Sequence, residues 1–375
     1  MRLARPEFDA VTPWLAAAAF IIVLLPVSLK EVQWAYGNQG NDVAGDYHVA
    51  VYTASRDVLH GVNPYGPPDS PLLGSSVENY PPTIFVGLLP VNLPSWTISE
   101  VIWLATLAVM LVLTPALLGV RDPRKYAVWL FSAPAVAGML WGNVTLALIF
   151  ATALFWRWRD RPRAAGLVLG TAIAVKLLLA PLLLWLVFTR RYRAAAIAAS
   201  SAVAMLLVAW AAISFHGMLD YPQLISTASR LQVRNGLLLS GLVSQLGAGA
   251  ALAELVGTAA AAAIASVAWR LRRDERVSFA LMVVALQFTT PIYHVFNLGF
   301  LVIPIALLFS RIDWPWVLLP TIWFVAHIGP LTTGSHVELS GAAFGTTLAL
   351  AVAGFVLLAI PGAETAKAVH PPVGG

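Results

Sequence analysis

Apolar runs recur along most of this chain, and short gaps crowded with arginine separate them. The gaps are Arg2/Arg5, Arg121/Arg124/Lys125, Arg157/Arg159/Arg161/Arg163, Arg190/Arg191/Arg193, Arg270/Arg272/Arg273/Arg276 and Arg311, and they hold 17 of the 23 Lys and Arg residues. A bilayer offers no water to backbone N–H and C=O groups, so such runs must satisfy themselves as helices. Composition agrees: 59% of the residues are hydrophobic and 11% charged, against about 25% charged in soluble domains. The expectation is an all-α integral membrane protein, a polytopic helical bundle. The positive-inside rule places the basic gaps on the cytoplasmic face. The net charge of +5 is thus accounted for by topology, and no nucleic-acid partner is implied. There is no cysteine, which excludes disulfides, thiolate catalysis and a Cys-based metal site.

These anchors predict about twelve spans: 13–29, 97–119, 127–141, 143–156, 164–176, 177–189, 194–214, 251–269, 277–291, 295–309, 314–330 and 341–360. Segments 82–94 and 236–247 are left as partly inserted pieces. Several spans are shorter than the roughly 20 residues of a full crossing, which is tolerated where they line a cavity enclosed by protein. A count of ten, with 127–156 or 164–189 as single spans, is the alternative. Arginines on both sides of each stretch favour hairpins. The run 14–29 reads as a retained anchor. Residues 1–361 form one membrane domain, 362–375 a cytoplasmic tail, and both termini are expected in the cytoplasm.

One stretch breaks the apolar pattern. Residues 40–82 are wet, rich in turn residues, and carry Asp42, Asp46, Asp57, Asp69 and Glu78; a polar loop this long is a favoured place for chemistry. Within it 47–60 is predicted helical, with Val49, Tyr52, Thr53 and Leu59 near one face and Gly61 as the stop. Two roles compete for Asp46, which stands just before that helix: an N-cap, favoured by frequency, or a carboxylate aimed into a cleft. The hairpin tips that point away from the arginine gaps are Trp141-Gly142-Asn143, Val175-Lys176 and Thr290-Pro291-Ile292-Tyr293-His294. Loop 215–235 adds Asp220, Arg230, Arg234 and Asn235, and a later loop adds His336 and Glu338. The unusual polar residues therefore share one side, which points to a site on the extra-cytoplasmic face. Lys176 interrupts an apolar run, where an ammonium costs about 2.5–3.5 kcal/mol or more. It either snorkels or meets an anion such as a lipid phosphate.

Asp46-Tyr47-His48-Val49, then Tyr52, Leu59, Gly61 and Pro64-Tyr65, then Tyr80-Pro81-Pro82 before an apolar run, form a pattern. Gly142-Asn143, Gly166-x3-Gly170 with Lys176, Pro181 and Arg190-Arg191, Asn235-Gly236, and Pro291 with His294 follow in order. Over residues 40–310 the chain resembles the polyprenyl-phosphate-mannose-dependent α-(1→2)-mannosyltransferases, glycosyltransferase family 87, membrane enzymes of the GT-C fold. It departs from them at Asn143, where Gln is usual, at Gly236-Leu237 after Asn235, and at Tyr293, where Trp is frequent. The departures bear on the donor or acceptor more than on the fold.

The resemblance implies a GT-C bundle with a large first extra-cytoplasmic loop, a polyprenyl-phosphate-linked sugar donor, and a glycolipid or glycan acceptor. It implies no cofactor and no metal. The base maps to Asp46, with Asp42 as the alternative, and His294 joins it as a catalytic residue. Substrate contacts fall to Asp42, His48, Tyr52, Tyr65, Asn143, Lys176, Arg230, Arg234 and Asn235. An arabinofuranosyltransferase using the analogous arabinose donor is a rival within the class. A transporter is the rival outside it, and would place ionisable residues at the bilayer midplane.

Overall fold

The computed structural model describes residues 43–65, 80–290, 292, 294–309, 314–322 and 335–358. The expected first span 13–29, the span end 323–330, Asp42, Asp69, Glu78, Pro291, Tyr293, Arg311 and the tail lie outside them, as do the side chains of His336 and Glu338.

The described residues form helices and no strands. Helix α1 runs unbroken as an α-turn (Gly45–Tyr47), π-helical turns (His48–Thr53) and an α-helical end (Ala54–Leu59). Gly61, at φ 71°, takes the left-handed conformation that stops it. Two short helices follow, α2 (Thr83–Gly87) and α3 (Leu89–Asn92), and then the long α4 (Trp96–Leu117). Next come α5 (Pro123–Leu130), α6 (Ala133–Leu140), α7 (Thr145–Trp158), α8 (Pro162–Val175), α9 (Leu182–Phe188) and α10 (Tyr192–Ala212). The rest comprises α11 (Tyr221–Gln232), α12 (Leu239–Gln245), α13 (Ala250–Arg270), α14 (Glu275–Gln287), α15 (Val302–Phe309) and α16 (Ser335–Leu358).

Four described stretches are long and apolar enough to cross a membrane: Trp96–Leu117, Tyr192–Ala212, Ala250–Arg270 and Gly341–Leu358. Shorter apolar helices accompany them rather than a uniform set of full spans. The expected span 127–141 is two helices, because Ser132 is extended and Pro134, inside the first turn of α6, has no N–H to continue the ladder. The span 177–189 begins as a 3₁₀ turn (Leu177–Leu179), and 295–309 begins as another (Val295–Leu301).

Length sorts with position. On the long helices Val101, Val109, Val203, Val208, Leu252 and Leu255 face outward, as lipid-facing side chains do. In α14 every residue from Val277 to Gln287 is buried. Helices α7 and α8 have 14 residues each, about 21 Å of rise. That falls short of a bilayer core of about 30 Å; protein covers most of α7, whereas α8 packs one face inward and turns Leu167 and Thr171 outward.

The short helices are hairpin arms. Arg191, past the end of α9, lies 2.7 Å from Asp160, before the start of α8, so the chain returns to its starting end rather than crossing once. Helix α10 then runs alongside α8 in the same direction. A Cβ on Gly166 would lie 2.7 Å from Ile197, and one on Gly170 would lie 2.6 Å from the carbonyl of Ala198. The Gly166-x3-Gly170 pair is therefore a seam of close backbone approach.

Candidate active site

The N-terminus of α1 is held by backbone. The N–H of Ala44 donates to the carbonyl of Leu140 at 2.7 Å, and those of Asp46 and Tyr47 donate to the carbonyl of Trp141 at 3.2 and 3.3 Å. This corrects the N-cap reading of Asp46. The helix begins earlier than expected, its N-cap is Ala44, and no side chain caps it. Trp141 supplies the acceptor a cap would supply, which leaves the Asp46 carboxylate available for other partners. The approach is close: Gly142 sits at φ 59°, and a Cβ there would lie 2.8 Å from that of Ala44. Ala44 itself is left-handed (φ 62°), a conformation that costs a non-glycine residue about 1–2 kcal/mol.

The face of α1 grouped by periodicity turns outward. Val49, Thr53 and Leu59 are exposed and Tyr52 is only partly covered, whereas Tyr47, Ala50, Val51, Ala54 and Ser55 are buried. Small residues face the bundle because the helix lies close against it. Tyr47 stacks on Trp103 with ring centroids 4.9 Å apart, and its hydroxyl donates to Asn92 Oδ1. Asn92 donates in turn to Ser55 Oγ at 2.7 Å. This buried chain of bonds ties α1 to α3.

Asp46 Oδ2 accepts a hydrogen bond from Asn143 Nδ2 at 2.6 Å and one from the Tyr80 hydroxyl at 3.4 Å. Tyr80 is buried, and its own carbonyl accepts from the Tyr65 hydroxyl at 2.8 Å. Burial first, and then the charge of Asp46, push the Tyr80 phenol well above its ordinary value, so it stays protonated and donates. Lys176 stands over the same ring, Nζ 5.2 Å from the centroid. It occupies an extended residue between α8 and the following 3₁₀ turn and lies within electrostatic reach of Asp46. His294, in the connection after α14, is pushed down to about 4 by burial and secondarily by Lys176, so its imidazole is neutral.

Four residues expected at the site, Asp46, Asn143, Lys176 and His294, thus come together from four separate elements. Tyr80 joins them and is not among the residues the sequence points to. Its signal was a tyrosine opening Tyr80-Pro81-Pro82 at the edge of an apolar run. His48 and Tyr52 lie beside the cluster: His48 stacks on Trp96 at 4.1 Å, and the Tyr52 ring meets the edge of the same indole at 5.1 Å. Tyr65 packs beneath Tyr80, stacked on Trp210, and is a support for the site rather than an exposed contact. Arg230, Arg234 and Asn235 are exposed. Arg230 donates to Thr227 on its own helix at 3.2 Å, and the Arg234 carbonyl accepts from Gln245. Among the described residues no cluster of three His, Asp or Glu side chains is placed to hold a metal ion.

The arrangement is a carboxylate with neutral hydrogen-bond donors, next to a lysine and a neutral imidazole, at one end of a helical bundle. It can take a proton, and it can meet an anion beside the place where the proton is taken. A model of glycosyltransferase family 87 matches residues 79–291, more than half of the chain. No curated protein and no solved structure matches it. The matched stretch includes Tyr80, Asn143 and Lys176, while Asp46 and His294 flank it.

Proposed function

This chain belongs to glycosyltransferase family 87, and on that premise we propose that it moves a mannosyl residue from a polyprenyl-phosphate donor to a glycolipid or cell-envelope glycan. The observation that carries the reading is the convergence of Asn143 and Tyr80 on Asp46 Oδ2, with Lys176 over the Tyr80 ring. Asp46 is the base. It takes the proton of the acceptor hydroxyl as that oxygen bonds to the anomeric carbon. The bond from that carbon to the phosphate oxygen breaks, and the electron pair leaves with the polyprenyl phosphate. Lys176 meets the charge that develops there, and neutral His294 donates a hydrogen bond to a phosphate oxygen. One displacement without a covalent intermediate inverts the anomeric configuration. No nucleotide pocket is needed, because the leaving group is a lipid phosphate.

The ionisable residues gather at a helix end rather than along the middle of the helices, which favours a transferase over a transporter. The opposite end carries the arginine gaps, so the positive-inside rule assigns the Asp46 end to the extra-cytoplasmic side of a GT-C bundle. The chain has no cysteine, which makes this directly testable. A single cysteine at exposed Val62 should react with an impermeant reagent in intact cells, and one at Arg163 should not; the reverse pattern would invert the topology.

The function is tested by incubating purified protein with labelled polyprenyl-phosphate-mannose, or its arabinose counterpart, and a lipid extract. Mannosyl transfer is expected from the wild type, and a loss of about 100-fold or more from Asp46→Asn. Because backbone holds the α1 terminus, that variant should keep its thermal stability. A folded, active Asp46→Asn protein would remove Asp46 from the role of base, and transfer from the arabinose donor alone would reassign the sugar.

A further inference from the structure

Asn143 can donate to Asp46 only through its NH2 edge, and something must decide which edge faces the carboxylate. Its Oδ1 accepts the backbone N–H of Thr145 at 2.8 Å, which turns Nδ2 toward Asp46. Thr145 is itself held unusually. Thr106, Thr114, Thr152 and Thr171 each donate their hydroxyl to the carbonyl four residues back in their own helix. For Thr145 that carbonyl belongs to Trp141, which already accepts from Asp46 and Tyr47. The Thr145 hydroxyl donates instead to Asn297 Oδ1 at 3.1 Å. Asn297 lies in the 3₁₀ turn that follows His294, and its N–H donates to the His294 carbonyl at 3.0 Å. Asn143, Thr145 and Asn297 are all buried, where an unsatisfied polar group costs about 1–3 kcal/mol.

We propose that Thr145 and Asn297 are positioning residues that lock the hairpin tip carrying Asn143 to the connection carrying His294, and so hold the carboxylate and the phosphate-facing imidazole in register. This rests on the reading of Asp46 as base. The link runs from Asn297 Oδ1 to the Thr145 hydroxyl, from the Thr145 N–H to Asn143 Oδ1, and from Asn143 Nδ2 to Asp46 Oδ2. Neither positioning residue touches substrate. Breaking the Thr145–Asn297 bond leaves every group of the cluster in place and loosens only their mutual geometry, and misplacement of a reacting group by about 1 Å can cost 100-fold in rate.

The test compares Thr145→Val, which keeps the shape and the backbone N–H but lacks the hydroxyl, with Thr145→Ser, which restores it. Full-length protein in lipid nanodiscs is measured for kcat, donor KM, Tm and the pH profile of kcat/KM. For Thr145→Val, kcat should fall by about tenfold with donor KM within about twofold. A loosened donor on Asp46 should move the acid limb of its profile upward by about half a pH unit. Thr145→Ser should return both readouts to near wild type. If Thr145→Val does not fold, Asn297→Ser carries the same expectation. A lower Tm with unchanged kcat and pH profile would make the pair simple packing, and failure of Thr145→Ser to rescue would assign the effect to the lost methyl group; either overturns the proposal. The reading beneath it is checked separately: an active Asp46→Asn protein sinks the base, and the positioning role with it. An inactive Asp46→Asn beside a fully active Thr145→Val sinks the positioning role alone.

Discussion

Helices α7, α8 and α14 run between two polar clusters, and the two are built on different principles. At one, Arg159 lies 3.3 Å from Glu275, and Arg191 lies 2.7 Å from Asp160 and 2.9 Å from Glu275. The hydrogen bond from Arg191 is the main cause that holds the Asp160 carboxyl below the usual carboxylate range. Arg159 and Arg191 also lie over Trp156 and Trp185. Opposite charges there answer one another in short contacts, which clamps three connections together. At the other end Asn143 and Tyr80, both neutral, donate to Asp46, and Lys176 lies over a phenol ring. Charges that cancel make a joint. Neutral donors around a carboxylate orient it for proton transfer rather than clamp two connections together.

That contrast predicts that substitutions at the two ends fail in different ways. Beyond Asp46 itself, the largest expected effect belongs to Lys176→Met, which keeps length and removes charge. Donor KM should rise and kcat fall, for a loss of about 100-fold in kcat/KM, because the phosphate is bound in the ground state and gains charge in the transition state. Lys176→Arg should recover only part of this, since a planar fork does not replace a point charge. Unchanged donor kinetics in a folded Lys176→Met protein would mean that this lysine snorkels. Tyr80→Phe comes next. It removes one donor from Asp46 and keeps the ring beneath Lys176, so kcat should drop by about tenfold with little change in Tm. A Tyr80→Phe protein with wild-type kcat would reduce Tyr80 to packing. The smallest effect is expected at the ionic end. Glu275→Gln should leave kcat and donor KM unchanged and lower Tm by roughly 2–4 °C, as befits a partly exposed ion-pair network. If Glu275→Gln lowers kcat as Tyr80→Phe does, the division between joint and site fails.

Much of this was legible in the chain. The alternation of continuous apolar runs with arginine gaps pointed to a helical membrane protein, since a closed barrel, the other structure that satisfies the backbone in lipid, alternates apolar and polar residues along each strand. The run 96–117 was read to within two residues. The hairpin at Lys176 was legible because Arg190-Arg191 and the Arg157–Arg163 gap cannot lie on opposite faces of a single short crossing. Asn143, Lys176 and His294 stood out because a polar residue at a tip between apolar runs is costly without a partner; Asp46 lay in a polar loop, and the family resemblance pointed to it. Helix periodicity grouped Val49, Thr53 and Leu59 on one face of α1, and it was the packing against the bundle that turned that face outward.

What the sequence determined by itself was the solvent this protein folds in, its helical class, and which side chains were too polar to lie in lipid. Those follow from local composition and period, which any stretch of chain displays alone. The tertiary structure decided what each polar side chain does. Whether Asp46 caps a helix depended on a carbonyl from Trp141, 95 residues along the chain. Whether Tyr80 belongs to the site depended on Asp46 and Lys176 arriving at its two sides. That Arg191, read only as part of a basic gap, braces the fold depended on Asp160 and Glu275. A hydrogen bond or ion pair needs its partner within about 3 Å, and only the packing of separate helices brings residues from distant parts of the chain that close.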